Sequence, residues 1–358
     1  MSLLTSVDAR TSRVDDFHAL LDEALHEFLH ARQDLATELS AELRGLVLAG
    51  GKRIRPTFAW WGWRAAGGAP PVDAVVRAMV ALELLQCCAL VHDDVMDRSA
   101  TRRGRPSTHE SFAALHRRER WAASARRYGD SAAILVGDLA LAWADDALVT
   151  AGLPAEALSR AWGPWQAMRT EMIMGQHLDL LAVARREESL EHAVRVAALK
   201  TAAYTVERPL HLGAALAGAD DDVVGCLRAY GHDIGVAFQL RDDLMGVFGD
   251  PSVTGKPVGE DLREGKRTPL MAIALSRAQG RPAAQRVLRR CLESGTVSER
   301  TVRDVCALLV ELGAVAAVEE HIERLAVSGI AALERAAIDD EARHELVRLA
   351  GRAVARTT

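Results

Sequence analysis

The stretch at residues 90–103, LVHDDVMDRSATRR, contains the residue types best suited to chemistry. It holds three aspartates and two arginines: Asp93, Asp94, Asp97, Arg102 and Arg103. On a helix, a spacing of four residues places Asp93 and Asp97 on one face, where their like charges repel. A bridging cation relieves this repulsion, and clustered carboxylates without a Cys/His set suit a hard ion such as Mg²⁺. Because arginine binds phosphate through paired hydrogen bonds, the stretch predicts a metal-bridged phosphate site.

A second acidic pair, Asp242 and Asp243, follows another apolar helical pattern within QLRDDLMGVFGD at residues 239–250. Two acidic helix ends that lie far apart in sequence can face each other across one cavity. A basic turn, GGKRIRP at residues 50–56, supplies further cations. Without other motifs such a turn is most often solvated surface, so its interpretation depends on the rest of the chain.

In this order, the motifs resemble those of the trans-isoprenyl diphosphate synthases, the polyprenyl synthetase family. The first motif, DDxxD, matches residues 93–97 and is followed by RRG at residues 102–104. The second aspartate motif matches residues 242–246, and GGKRxRP matches residues 50–56. Further matches are Lys200-Thr201, Gly175-Gln176 with Asp179, and Gly255-Lys256 leading to Gly265-Lys266. Together these matches span roughly residues 45–270.

The resemblance implies an all-α fold, a single large helical bundle of the isoprenoid synthase type with a central cavity. One polyprenyl synthetase domain would then cover residues 1–358, with the helices after about residue 270 as scaffold. The family is usually homodimeric, so a homodimer is the expected assembly.

The resemblance also implies Mg²⁺-dependent head-to-tail transfer of an allylic group to isopentenyl diphosphate. The metal ligands, holding three ions, would be Asp93, Asp97 and Asp242. Asp94, Asp243 and Lys200 complete the expected catalytic set. The reaction requires no protein nucleophile, which agrees with a sequence that shows no Ser/His or Cys/His constellation.

Substrate-binding residues follow from the same resemblance. Isopentenyl diphosphate would be held by Lys52, Arg55 and Arg103, and the allylic diphosphate by Arg102, Lys200 and Lys256. Gln86, Thr201, Gln239 and Lys266 complete the expected set. The alternative for Lys200 is a side chain that extends along apolar surface to reach water.

Two positions depart from the family pattern. Gln86 stands where the family usually has a histidine, and it can donate a hydrogen bond but cannot become cationic. Gly246 stands where many members have a third aspartate, and Asp250 nearby is a candidate replacement.

Product length is expected to depend on what blocks the growing chain along the helix before Asp93. Cys88 and Ala89, five and four residues before Asp93, are both small, whereas family members that stop at farnesyl diphosphate usually carry an aromatic there. The growing prenyl chain should therefore extend past this layer, and Leu85 or a facing helix should form the floor that stops it. This predicts geranylgeranyl diphosphate (C20), with farnesyl or longer polyprenyl diphosphates as alternatives.

Composition limits the class of protein. Apolar residues make up 49% of the 358 residues and aromatic residues 4%, a mixture that favours helices over sheets. The net charge of −5 argues against a nucleic-acid partner. The sequence has no uninterrupted apolar run of about 18 residues, so no membrane span is expected. Five cysteines without CxxC spacing and a start without a signal-peptide pattern lead us to expect a cytoplasmic protein.

The helical periodicity predicts helices at residues 14–45, 72–98, 130–149, 155–182, 187–203 and 219–248. A break is expected at Arg208-Pro209, and a flexible, arginine-rich connection over residues 98–127. Trp60, Trp61 and Trp63 are interpreted as packing residues, and His92 as a structural hydrogen-bonding residue.

Three rival functions remain open on sequence grounds. A class I terpene cyclase would carry a different second metal motif and would not need GGKRIRP. A non-catalytic subunit of a heteromeric synthase is compatible with Gly246, but the complete first motif argues against it. A head-to-head synthase has no use for an isopentenyl diphosphate site.

Overall fold

The computed structural model describes residues 14–32, 37–69, 71–102, 104–249, 258–293 and 297–355. The fold is all-α, as predicted. Its helices are α1 Val14–His30, α2 Glu38–Leu48, α3 Ile54–Ala65, α4 Asp73–Asp97, α5 Thr108–Arg118, α6 Ala125–Val149, α7 Ala155–Arg185, α8 Leu190–Val196, a π-helix Ala197–Glu207, α9 Arg208–Ala217, α10 Asp221–Phe248, α11 Glu260–Arg263, α12 Pro269–Arg277, α13 Pro282–Glu293, α14 Glu299–Glu311, α15 Ala314–Glu334 and α16 Asp340–Ala355. A two-stranded antiparallel hairpin, β1 Thr101–Arg102 and β2 Arg105–Pro106, lies between α4 and α5.

The chain divides into two compact units. The first comprises Met1–Trp165 and Pro209–Asp220, and the second Gln166–Arg208 and Asp221–Thr358. In the first unit α4 packs mainly against α6, with α1, α2 and α3 completing its surroundings. In the second unit α10 packs against the π-helix and α15.

Helix α4 positions the first aspartate motif. Its 25 residues are long and apolar enough to cross a membrane by length and composition, with a mean hydropathy of 1.9 over the best window. However, 72% of that window is buried inside the protein, as in the core helix of a soluble domain. The predicted bounds, residues 72–98, agree with the helix within one residue at each end.

The three tryptophans of α3 are buried, which confirms their interpretation as packing residues. Trp60 and Trp61 are fully buried, and Trp60 stacks on Phe17 of α1 with the ring centroids 4.9 Å apart.

The predicted N-terminal helix is divided in two. The second piece, α2, begins after Thr37, whose side chain accepts a hydrogen bond from the Ser40 amide in a capping box.

The prediction of a flexible connection over residues 98–127 was wrong. These residues form the β1–β2 hairpin and helix α5, which buries Phe112 and His116. The imidazole of His116 lies 5.5 Å from the ring of Tyr128 on α6. Apolar and aromatic contacts therefore hold this segment although its surface is rich in arginine.

The expected break at Arg208-Pro209 is also absent. A π-helix runs into α9 without interruption, and the Arg208 amide bonds to the Ala203 carbonyl, five residues back. Because Pro209 lacks an N–H, it would interrupt an ordinary α-helical ladder. The π-helical hydrogen bonding continues up to Arg208, and α9 follows it directly although the proline supplies no donor.

Helices α3 and α9 approach each other closely within the first unit. A Cβ added at Gly213 would lie 1.9 Å from the Ala59 carbonyl oxygen, and one at Gly62 would lie 2.3 Å from that of Leu210. Both obstacles are backbone atoms, which cannot move without shifting a helix. The two glycines therefore set the distance between these helices.

We predict that Gly213→Ala lowers the free energy of unfolding by about 3 kcal/mol, because the added methyl forces the helices apart. Denaturant unfolding followed by circular dichroism measures this change. The control is Gly45→Ala on α2, where the new Cβ meets nothing within 4 Å. That variant should gain roughly 0.5–1 kcal/mol from improved helix propensity. Equal effects of the two substitutions would contradict the close-approach explanation.

Candidate active site

The first aspartate motif occupies the last turn of α4. The helix ends where Arg98 adopts a left-handed conformation (φ 58°), with its amide bonded to the Asp94 carbonyl. Asp97 is exposed and Asp93 half-buried, whereas Asp94 is only 3% exposed. The motif therefore divides into two outward carboxylates and one buried carboxylate.

The hairpin after α4 brings Arg102 back to the motif. Its Nε and Nη2 donate to Asp94 Oδ1 at 2.9 and 2.5 Å, and Nη2 lies 3.5 Å from Asp93 Oδ2. Burial raises the pKa of Asp94, and the Arg102 guanidinium opposes this shift. Arg102, predicted to bind phosphate, thus also neutralises the buried carboxylate.

The donor set at the end of α4 fits a magnesium ion that is completed by substrate. Among the described residues, no group of three or more Asp, Glu, His or Cys side chains forms a ready-made metal site. Asp93 and Asp97, one turn apart, supply two carboxylates. Mg²⁺ typically takes one or two carboxylates together with waters and substrate phosphates. The residues therefore suit an ion that arrives with a diphosphate.

A cavity of about 460 Å³ lies beside the buried side of the motif, within the first unit. Asp94, Arg102 and Gln86 contribute to its wall. Glu83 of α4 also lines it, and further wall residues come from α2, the basic turn and the start of α5, including Leu46, Gly50, Arg53 and Thr108. Three predicted site residues thus line one cavity.

The basic turn before α3 has two residues in the left-handed region, Gly50 (φ 80°) and Arg53 (φ 46°). Arg53 precedes α3 and provides no side-chain cap, and no acidic residue occupies the first helical turn. The helix N-terminus therefore keeps its partial positive charge next to Lys52 and Arg55, an arrangement that favours an anion. Lys52 is exposed and Arg55 half-buried, as a ligand-binding role requires.

Arg53 and Glu83 are site-region residues that the sequence analysis missed. Arg53 is 7% exposed, and its Nη1 donates to Glu83 Oε2 at 2.5 Å. A signal was present, because Glu83 is the single charge within the apolar run of α4, and a buried charge requires a partner.

The residues predicted to control chain length differ in burial. Leu85 is fully buried, Cys88 is 2% exposed and Ala89 is partly buried. Cys88 Sγ lies 3.8 Å from His92 Nδ1, and burial raises the pKa of this thiol to about 12, which makes it unreactive. His92 in turn bonds through Nε2 to the Ile134 carbonyl at 3.1 Å, as expected of a structural residue.

In the second unit, Asp243 of the second motif is 4% exposed. Gln239 Nε2 donates to its Oδ1 at 2.7 Å, and its Oδ2 has no hydrogen-bond partner among the residues that the structure describes. Burial raises the pKa of Asp243 to about 8. Gln239, predicted to bind substrate, contacts Asp243, while Asp242 beside it remains half-buried.

Lys200 lies on the π-helix and has a carboxylate partner. Its Nζ donates to Asp179 Oδ2 of α7 at 2.8 Å. Thr201, the next residue, is half-buried. Gly175 permits this arrangement, because a Cβ there would lie 2.4 Å from the Lys200 backbone nitrogen.

Lys266 is paired with two carboxylates, Asp261 Oδ1 at 3.0 Å and Glu264 Oε2 at 2.8 Å. Burial alone would lower the pKa of Lys266, but these carboxylates raise it. The Asp261 carboxylate also fills the space beside Gly246, where a Cβ would lie 1.9 Å from its Oδ2. A carboxylate is thus present next to the position that lacks the third aspartate. Arg103, Lys256 and Asp250 lie outside the described residues.

Comparison with known proteins identifies the family. The polyprenyl synthetase family model matches residues 36–309, and the chain belongs to this family. It is an enzyme, a trans-prenyltransferase of the isoprenyl diphosphate synthase type.

Similar proteins carry three product names. A geranylgeranyl pyrophosphate synthase from Corynebacterium glutamicum, solved with isoprenyl diphosphate and magnesium, is 44% identical over 96% of this chain and 99% of that one, with a TM-score of 0.92. A geranylfarnesyl diphosphate synthase from Aeropyrum pernix is 32% identical over 298 residues, 82% of this chain and 86% of the relative. A (2E,6E)-farnesyl diphosphate synthase from Mycobacterium tuberculosis is 37% identical over 263 residues, 73% of this chain and 66% of the relative.

We predict that Gly175→Ala displaces Lys200 and lowers kcat at least about tenfold, since a positioning error near the reacting groups is costly. It should also destabilise the fold by about 1–3 kcal/mol. Steady-state kinetics and denaturant unfolding measure the two effects. Gly225→Ala on α10, where the added Cβ meets nothing within 4 Å, is the control and should leave kcat unchanged. A fully active Gly175→Ala enzyme would show that the contact does not position Lys200.

Proposed function

We propose that this enzyme makes geranylgeranyl diphosphate by Mg²⁺-dependent addition of isopentenyl diphosphate to an allylic diphosphate. The observation that carries this proposal is the face of α4 that ends in Asp93. Ala89 lies one turn earlier on that face and Leu85 two turns earlier, so the first apolar layer below the aspartates is small. We further propose that the enzyme acts as a cytoplasmic homodimer.

The charged residues are assigned as follows. By the family resemblance, Asp93 and Asp97 of the first unit and Asp242 of the second would hold Mg²⁺, three ions in all, and these ions would supply positive charge to the allylic diphosphate. Arg102, Lys200 and Lys256 add positive charge around the same diphosphate. Lys52, Arg55, Arg103 and Gln86 hold isopentenyl diphosphate. The cavity of about 460 Å³ in the first unit supports the assignment of Gln86, which lines it together with Gly50 and Arg53 of the basic turn.

Bound Mg²⁺ would neutralise the negative charge that develops on the departing diphosphate. The chain's own cations act in the same direction, because fixed positive groups stabilise a developing anion without having to reorganise. Lys52 and Arg55 orient isopentenyl diphosphate so that its double bond attacks the allylic cation. Proton loss to the departing diphosphate completes the five-carbon extension.

Product length follows from the depth of the apolar path along α4. At about 1.5 Å per residue, Ala89 lies about 6 Å and Leu85 about 12 Å from Asp93 along the helix axis. A small side chain at Ala89 lets the product grow past this position, and Leu85, which is fully buried, is the next residue along the same row of four-residue spacings. The 44% identical structure named geranylgeranyl pyrophosphate synthase supports C20.

We predict that the purified protein with Mg²⁺, isopentenyl diphosphate and, separately, dimethylallyl, geranyl and farnesyl diphosphates yields mainly C20. Chromatographic sizing of the dephosphorylated products measures this. A C25 product would retain the mechanism and place the floor below Leu85. Farnesyl diphosphate as the sole product would refute the open-layer argument, and no product from any acceptor would favour a non-catalytic subunit.

We predict that Ala89→Phe shortens the main product by at least one five-carbon unit, because the aromatic ring fills the first layer. Ala229→Phe, on an exposed position of α10, adds the same side chain away from α4 and should leave the product unchanged. An unaltered product from Ala89→Phe would mean that the growing chain does not follow this face.

A further inference from the structure

Arg53 connects four helices, three of them through its guanidinium and the fourth through its backbone carbonyl. Nη1 donates to Glu83 Oε2 of α4 at 2.5 Å, and Nε and Nη2 donate to Asp22 Oδ1 of α1 at 3.2 and 3.0 Å. Nη2 also lies 3.3 Å from the Val47 carbonyl of α2. The Arg53 carbonyl accepts from the amide and hydroxyl of Thr57 on α3. Thr57 is held in turn by His18 of α1 at 2.9 Å.

This arrangement has two energetic costs. A non-glycine residue at φ 46° is strained, and a guanidinium that is 7% exposed has lost most of its hydration. Replacing a buried ion pair by apolar residues is often neutral or stabilising, so stability alone does not explain this one. Its location indicates a role in ligand binding.

Glu83 provides the connection to binding. Its carboxylate, 12% exposed, and Arg53 both line the cavity to which Gln86 and Gly50 also contribute. Gln86 lies three residues after Glu83, on the same side of α4. An unneutralised carboxylate in this wall would repel a diphosphate in the cavity.

We propose that Arg53 is a positioning residue for isopentenyl diphosphate: it neutralises Glu83, whose carboxylate would otherwise repel the diphosphate beside the turn that carries Lys52 and Arg55. The inference rests on the proposed function, which places isopentenyl diphosphate in this cavity. Arg53 acts through Glu83 and makes no contact with substrate. Asp22, with 55% of its side chain exposed, anchors the far side of the guanidinium.

The test compares Arg53→Gln, Glu83→Gln and the double variant with the wild type. Arg53→Gln leaves Glu83 unpaired and should raise KM for isopentenyl diphosphate at least about 30-fold. In the double variant the repulsion disappears, so KM should return to within about fivefold of wild type, a coupling that a double-mutant cycle detects. In all three variants, kcat and the KM for the allylic substrate should change less than about threefold, because the residues assigned to the allylic diphosphate are not altered.

Further variants separate positioning from a general loss of structure. Arg53→Lys keeps the charge but loses the fork that reaches Glu83 and Asp22 together, so its KM should be intermediate. Arg44→Gln, on α2 but not part of the cavity wall, should behave as wild type. Thermal unfolding confirms that each variant is folded at the assay temperature.

Calorimetric binding of isopentenyl diphosphate, without the allylic substrate, makes the result independent of turnover. Wild-type binding that is weakened by Arg53→Gln and recovered in the double variant supports the inference. A double variant as poor as Arg53→Gln would mean that Arg53 contacts the diphosphate directly, which overturns it. Unchanged binding by Arg53→Gln overturns it while leaving the proposed function intact. A wild-type protein that binds no isopentenyl diphosphate overturns both.

Discussion

The cost of burying a carboxylate determines how the functional residues of this enzyme are arranged. Carboxylates in or beside its apolar helices are matched to a donor, in the pairs Asp94–Arg102, Glu83–Arg53, Asp179–Lys200, Asp243–Gln239 and Asp261–Lys266. An unpaired buried charge costs several kcal/mol, so each match lowers the cost of placing a carboxylate there. Three of the predicted phosphate ligands, Arg102, Lys200 and Lys266, are therefore oriented by carboxylates within their own units.

Close contacts between helices also position the functional residues. The π-helix approaches α7 at Gly175 and α10 at Gly235, where an added Cβ would lie 2.7 Å from the Ala202 Cα. These contacts fix the backbone of Lys200 from two sides. A π-helix is less favourable than an α-helix and often marks a functional site. Here backbone packing sets the position of Lys200, and the Asp179 carboxylate sets the direction of its side chain.

The sequence was sufficient where one residue type or one periodicity decides the structure. The apolar pattern gave α4 nearly to the residue, and adjacent aspartates identified both motifs. It was insufficient where tertiary contacts decide: α5 depends on contacts with Tyr128, and the π-helix depends on two glycines from other helices. Arg53 was overlooked because its motif contains three cations, and only the fold shows which one is buried. Asp261 lies 15 residues after Gly246, so its proximity could not be read from spacing.

Product length is harder to infer than activity because the two ends of the substrate impose different constraints. At the diphosphate end, each charged group needs a partner of one chemical type, since an unmatched buried charge is not tolerated. At the hydrocarbon end, apolar side chains of similar volume replace one another at a cost of about 1.5 kcal/mol or less. The depth of that end can therefore change while the charged site stays the same. Relatives between 32% and 44% identical to this chain are accordingly named for three product lengths. We therefore propose that product length depends on a few side-chain volumes such as those at Ala89 and Leu85, whereas the chemistry depends on charge pairing.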